Sequence, residues 1–358
     1  MKLSKKVISL LLVVMMVLSL GACSKKSYEV ALITDIGTID DKSFNQGAWE
    51  GVEAYAKDNN KTYKYYKPTE KSDDAYMVSI DLAIKAGAKI IVCPGYLFEV
   101  PVYNAQSKYP DTKFIILDGV PHVSQEDYTP VIAENTYSIF YAEQEAGFLA
   151  GYAAVKDGYT KLGFMGGVAL PAVIRYGYGF VQGSEYAAQE LGLEDGAIQI
   201  KYTYVGNFDA TPENQTKAAS WYSEGTELIF ACGGAVGNSV MKAAEAAGAK
   251  VIGVDVDQSS ESATVITSSM KNLSKSVYDG LASFYAGSFP GGTTVSLDAG
   301  TEGVQLPMKS SKFTQFTQAD YDSIYQKIVN KEITIGNDTA AEDASKLPIA
   351  KVVVELVQ

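Results

Sequence analysis

The chain has 358 residues, 47% of them hydrophobic and 20% charged, with a formal net charge of −12. That is an ordinary globular composition with no low-complexity block, and its acidic balance argues against a nucleic-acid partner. One histidine, His122, and three cysteines with no CxxC pair are too few ligands of the right kind for a His/Cys zinc site.

Lys2, Lys5 and Lys6 precede an uncharged apolar run over 7–20, the pattern of a secretory signal and too short for a stable membrane span. The run ends Leu20-Gly21-Ala22-Cys23, which resembles the bacterial lipoprotein cleavage box. That resemblance implies loss of 1–22, a lipidated Cys23 and a tether over 23–28. Acyl chains anchor through about 0.8 kcal/mol per buried CH₂. Loss of three lysines would take the net charge from −12 to −15. About 335 residues would remain, which suits two domains better than one core.

Val30–Ile33 reads as a buried strand, followed at once by Asp35, Gly37, Asp40 and Asp41. Ser43, Phe44 and Asn45 come next, and a helical pattern runs through Trp49, Val52 and Tyr55. Then 62–66 reads as strand, 73–86 as helix, 89–93 as strand, 100–108 as helix and Lys113–Leu117 as a strand ending in Asp118-Gly119. Alternation at these lengths predicts parallel βαβ units. From about Ser138 onward a helix is predicted, carrying Phe140, Glu143, Gln144, Phe148 and Leu149. Strands are predicted at 162–165, Leu228–Cys232, 251–254 and 265–267. Helices follow over Leu273–Tyr285 and 319–329, with short strands over 293–306 and an apolar end at 352–357.

The second half repeats landmarks of the first. Phe180-Val181-Gln182-Gly183 matches Phe44-Asn45-Gln46-Gly47 in kind, Cys232 matches Cys93, and Asp255 matches Asp118. Phe44 and Cys93 are 49 residues apart, Phe180 and Cys232 are 52. This predicts an α/β chain of two lobes, each a parallel sheet flanked by helices. The expected boundaries are 29–136 plus about 262–290 for lobe one, and 137–261 plus about 291–358 for lobe two. Cys93 and Cys232 end apolar runs and read as small buried residues rather than a disulfide.

Ligands of open α/β sheets bind at the carboxyl ends of the strands. Facing strand ends of two lobes would gather Asp35, Asp41, Phe44 and Asn45 with Asp118, Gly233, Asp255 and Lys271. Asp and Ser near Phe44 also suit helix capping. Phe208 either faces the cleft or staples the helix that starts near Pro212. Two phenyl rings can stack on a flat ligand, Asn45 offers a donor and an acceptor, and carboxylates accept from vicinal hydroxyls. Lys271 either donates to a hydroxyl oxygen or balances Asp255. With many carboxylates and no GxxxxGK[ST] loop, the pattern points to a flat, hydroxyl-bearing, uncharged ligand and to no cofactor.

TDIGTIDDKSFNQGAWEG, ACGGAVGN, VIGVDVDQ and ITSSMK resemble the basic membrane protein family of PnrA-like lipoproteins, over nearly the whole chain beyond residue 23. The resemblance implies a two-lobed type I periplasmic-binding-protein fold. It implies a lipid-anchored, monomeric, non-enzymatic substrate-binding protein on the extracytoplasmic face of the cell membrane. The ligand would be a purine nucleoside such as inosine, guanosine or adenosine, and the partner an ABC permease. Carried over by motif, Phe44 and Phe208 stack on the base, Asn45 and Asp118 touch the base or cleft, Asp255 and Lys271 touch the ribose, and Gly233 lies in the glycine turn. One departure falls at Tyr141-Ala142-Glu143-Gln144-Glu145, where Gln144 stands in place of an asparagine frequent in the family and bears on base selectivity. The competing readings are a sensor lipoprotein, a binder of another hydroxylated solute, and a nucleoside hydrolase built on Asp35, Asp40 and Asp41. For the last, the spacing does not match a calcium loop, and no stretch resembles a nucleophile elbow.

Overall fold

The computed structural model describes residues 27–357. The expected signal segment and Cys23 lie outside them. Two parallel sheets organise the rest. The first half supplies β1 (Val30–Ile33), β2 (Tyr63–Tyr66), β3 (Ile90–Pro94) and β4 (Lys113–Leu117). A hairpin of β5 (His122–Ser124) and β6 (Asp127–Pro130) leads to β7 (Thr136–Tyr141). These pair in the order β2-β1-β3-β4-β7. The second half supplies β8 (Lys161–Gly166), β9 (Ile198–Tyr204), β10 (Leu228–Cys232), β11 (Lys250–Asp255) and β12 (Val265–Lys271), in the order β9-β8-β10-β11-β12. The same strand order is used twice, so the repeat suggested by Cys93/Cys232 and Asp118/Asp255 is a repeat of topology.

Both faces of each sheet are covered, which is why β1, β3 and β10 are apolar and buried along their whole length. In lobe one, α1 (Phe44–Asp58) covers one face. The pair α2 (Asp73–Lys85) and α3 (Glu99–Lys108) covers the other, setting Tyr76, Ile80 and Val102 against Ile91 and Ile116. In lobe two, α4 (Glu143–Lys156) and α5 (Pro171–Glu190) cover one face. The opposite face carries α6 (Pro212–Ser223) and α7 (Val236–Ala247), with Trp221 and Val240 against Ile229 and Val251. Trp49 and Trp221 both face cores, and Cys93 and Cys232 are buried and free, as their place at the ends of apolar runs predicts.

Three expectations change. The segment from Ser138 does not begin a helix: Thr136–Tyr141 is a strand beside β4, and the helix starts at Glu143. The run TYSIFY is rich in β-branched and aromatic residues, and the open edge of β4 claims it. The segment about 262–290 is divided between the lobes. Its strand β12 pairs with β11 in sheet two, and only α8 (Leu273–Tyr285) returns to pack on α1. In turn β13 (Thr293–Leu297) joins β7 in sheet one, before β14 (Val304–Gln305), α9 (Gln318–Val329) and β15 (Val352–Leu356) complete lobe two. Apolar period marks each of these as strand or helix but carries no information about which sheet edge is open to it. Lastly, Phe180 is not the counterpart of Phe44. It is fully buried in mid-α5, which begins earlier at Pro171, whereas Phe44 opens α1.

Helices α4 and α5 touch through their backbones. A Cβ on Gly147 would lie 2.1 Å from Tyr176 O, and one on Gly183 would lie 2.0 Å from Phe148 O. This crossing fixes the helix starts that bear Glu143, Gln144 and Arg175. Gly183→Ala is expected to lower unfolding free energy by about 1–3 kcal/mol, through overpacking that no rotamer relieves. A urea midpoint equal to that of the parent chain would show instead that the helices part freely.

Candidate functional site

The carboxyl ends of both sheets converge on one charged cluster. From lobe one comes the turn between β1 and α1. Asp41 caps the helix: its Oδ1 accepts from the N–H groups of Ser43 (2.9 Å) and Gln46 (3.1 Å), and its Oδ2 accepts from Asn45 N–H (3.1 Å). Asn45 Nδ2 donates to Asp35 Oδ1 and Asp41 Oδ2, each at 2.9 Å, and Asn45 Oδ1 accepts from Asp35 N–H at 3.3 Å. Asp35, Asp41 and Asn45 therefore form an internal knot that shapes the turn, and both amide hydrogens of Asn45 are engaged within it. Burial pushes the Asp35 carboxyl up to about 6, against the pull of Gly37 N–H and Asn45. Its Oδ2 lies toward Gly95, which has φ +109°, with the Phe44 ring beside the same glycine.

Asp118 and Asp255 occupy equivalent places, just after β4 and at the end of β11. Both have left-handed backbones, φ +53° and +66°. Non-glycine residues in that region are uncommon, and Asp tolerates it better than most. Holding two of them there at matching strand ends is the kind of strain that functional sites carry.

Lys271, at the end of β12, lies between these carboxylates and is 3% exposed. It pairs with Asp118 Oδ2 and, at 3.0 Å, with Glu143 Oε1. Its ammonium also lies 5.1 Å from the Phe44 ring centre, 5.4 Å from Tyr141 and 5.5 Å from Tyr176, within cation–π range. Arg175 continues the chain, bonding Glu143 Oε2 at 2.6 Å and Asp338 at 3.3 Å. Burial alone would raise Glu143, but Lys271 and Arg175 outweigh it and hold that carboxyl below its ordinary range. Asp118 goes the other way: burial, aided by the neighbouring Glu143 charge, outweighs Lys271 and brings it to about 7. Burial likewise raises Asp255 against Lys271 and Ser43. Asp255 accepts from Ser43 Oγ of the opposite lobe at 2.5 Å and from Tyr176 at 3.5 Å.

From lobe two, Phe208 lies over Gly167, where a Cβ would come within 2.5 Å of its ring. Gly233 in turn lies against Gly167, where a Cβ on Gly233 would come 2.8 Å from Gly167 N, so a floor of glycines carries the ring. The helix after Pro212 is capped by Thr211, and Phe208 packs on the large core cluster. Phe44 and Phe208 make no ring contact with each other among the described residues. Gln144 sits in the first turn of α4 with its Oε1 buried and unpartnered among the described residues, and Asp118 Oδ1 is in the same condition. Buried acceptors without partners are rare and unfavourable, so both oxygens suit ligand donors.

Sequence reasoning passed over Ser43 as a site residue, and over Glu143, Arg175 and Tyr176. One signal was available: Arg175 is the only arginine in the chain. Tyr176 follows it directly and shares its helix.

The raised carboxyls have a consequence for stability. A group whose native pKa lies above its unfolded value stabilises the fold below the unfolded pKa, and loses that effect as pH rises through the native one. Asp118 at about 7 and Asp35 at about 6, each raised from 3.8, place the loss between about pH 4 and 7. Unfolding free energy is expected to increase as pH falls from 7 to 5, and Asp118→Asn is expected to flatten that slope. A slope unchanged by the substitution would assign it elsewhere.

Residues 28–339 match the profile of a family described as "ABC transporter substrate-binding protein PnrA-like". The chain belongs to this family. It is 29% identical over 310 residues to the "ABC transporter nucleoside-binding protein BmpA" of Lactococcus lactis subsp. cremoris, covering 80% of this chain and 83% of that protein. It is 31% identical over 327 residues to "Basic membrane protein A" of Borreliella afzelii, covering 88% of this chain and 95% of the relative. A solved solute-binding protein of an ABC transporter system from Aeropyrum pernix K1 superposes with a TM-score of 0.73 at 22% identity, over 88% of this chain and 94% of that one. The fold is thus the two-lobed type I periplasmic-binding-protein fold, and this PnrA-like protein is the substrate-binding component of an ABC transporter.

Proposed function

We propose that the substrate is a purine nucleoside, held between the lobes and handed unaltered to the permease. The observation that carries this reading is the pair of strand-end aspartates around Lys271, with Asp118 Oδ1 left as a buried acceptor. Asp118 Oδ1 and Gln144 Oε1 take donors of the base, Phe44 and Phe208 cover its faces, and Asp255 with Lys271 meets the sugar hydroxyls. Gly233 keeps the floor under Phe208 low, while Asp35, Asp41 and Asn45 set the turn from which Phe44 projects. The nucleoside-binding name of the Lactococcus relative supports the same ligand class. No helix of the described residues is long and apolar enough to cross a membrane. Attachment on the extracytoplasmic face is proposed to come from acyl chains on Cys23.

Native mass spectrometry of the full chain should reveal a co-purifying purine riboside, and calorimetry should give saturable heat with inosine, guanosine or adenosine. No heat with any of the three would refute the ligand class. Free hypoxanthine released from inosine would show catalysis rather than capture. Nucleoside uptake into importer vesicles should depend on the added protein, and a sensor lipoprotein would not support it.

A further inference from the structure

Beside the charged cluster, the lobes meet at a second built contact. Gln258 follows β11 in lobe two and is 1% exposed. Its own lobe holds it at two points. Its backbone N–H donates to Ser268 Oγ at 3.0 Å, and its Oε1 accepts from Val254 N–H at 3.1 Å. A Cβ on Gly253 would lie 2.4 Å from that Oε1, so a glycine leaves the side chain its space. The remaining amide, Nε2, donates across to lobe one, to the backbone carbonyl of Lys42 at 2.7 Å.

The receiving loop is equally fixed. Lys42 is held at φ +63°, and Asp41 before it is tied to three backbone N–H groups at the start of α1. Ser43 after it bonds Asp255. The ion pair of Lys42 with Glu261, at 3.5 Å, runs alongside but is too exposed to count for much.

We propose that Gln258 is a positioning residue that latches the lobes closed and sets how long a ligand stays, without touching it. This rests on the reading of the protein as a two-lobed nucleoside binder. Gln258 Oε1 is satisfied inside its own lobe whether the lobes are together or apart. Nε2 and Lys42 O meet only when the lobes are together, so their bond adds to the closed arrangement alone. A ligand-independent bond of this kind shifts the open–closed equilibrium by about three- to tenfold. Because the acceptor is main chain, no side-chain change at position 42 removes it, and the effect is the same for every nucleoside bound.

The test uses the full chain carrying Gln258→Glu, which keeps an acceptor for Val254 N–H but no donor, and separately Gln258→Leu. Spin labels at exposed positions, through Asp111→Cys in lobe one and Glu194→Cys in lobe two, report the distance between lobes in a Cys23→Ser background, since the other native cysteines, Cys93 and Cys232, are buried. Inosine should dissociate at least about threefold faster from both variants with association unchanged. The label distances without nucleoside should shift toward a more open population. Parent-like dissociation and parent-like distances in both variants would overturn the latch. If inosine binds to no form of the protein, the proposed function fails, while the label distances still decide the latch by themselves.

Discussion

Lys271→Met is expected to lower folding stability by about 3–5 kcal/mol at pH 8, because removing one member of a buried ion pair leaves its partners charged in a poor solvent. Lys271 is 3% exposed and Glu143 is fully buried, with Asp118 and Asp255 on the same cation. Methionine fills much the same volume, so the loss is electrostatic rather than a cavity. Arg175 still answers one oxygen of Glu143, which leaves Asp118 and Asp255 as largely buried carboxylates without a cation. The sign of the pH dependence follows. Both carboxyls are already raised in the parent, by burial first, and lose the Lys271 contribution that opposes it. They take up protons as pH falls, so the deficit should shrink between pH 8 and 5. Lys271 itself stays protonated throughout that window, since its own pKa is raised by Asp118 and Glu143 against burial. Urea denaturation at the two pH values measures this. A deficit below about 1 kcal/mol at pH 8 would mean that water reaches the carboxylates.

Phe208→Ala is expected to weaken nucleoside binding by about 1–3 kcal/mol, the range for a base stacked on an aromatic ring. Free base and riboside should suffer equally, because the ring addresses the base alone. Asp255→Asn should behave differently. It preserves shape and still accepts from Ser43, but it removes the charge that strengthens bonds from sugar hydroxyls, so ribosides should lose more than free bases. Calorimetry with guanosine and guanine on both variants separates the two roles. Equal losses for both ligands with Asp255→Asn would remove Asp255 from the sugar. Unchanged affinity with Phe208→Ala would mean that the ring only packs on Gly167 and the core.

Much of this site was legible from short stretches. The turn after β1 announced itself by polar residues crowding directly behind an apolar strand, and Asp118 and Asp255 by their place after buried runs. What those stretches misstate is role. Asn45 reads as a free amide, yet both its hydrogens serve Asp35 and Asp41, because the turn closes on itself once α1 starts. Asp41 is a cap as much as a site residue. Gln258 ends the stretch VIGVDVDQ without a legible role, and the carbonyl that accepts from its amide, that of Lys42, lies 216 positions back along the chain.

Alternating apolar runs and turns, read twice with the same landmarks, are local properties, and they were enough for a doubly repeated α/β chain, its strand ends and its acidic, phosphate-poor character. Which sheet receives β12 and β13, and which carboxylate shares Lys271, are decided only in three dimensions. A strand pairs with whichever edge is open, and a buried charge pairs with whatever the fold brings within a few ångströms. Asp118 and Lys271 are 153 residues apart, Ser43 and Asp255 are 212. No period in the sequence spans such distances; packing does.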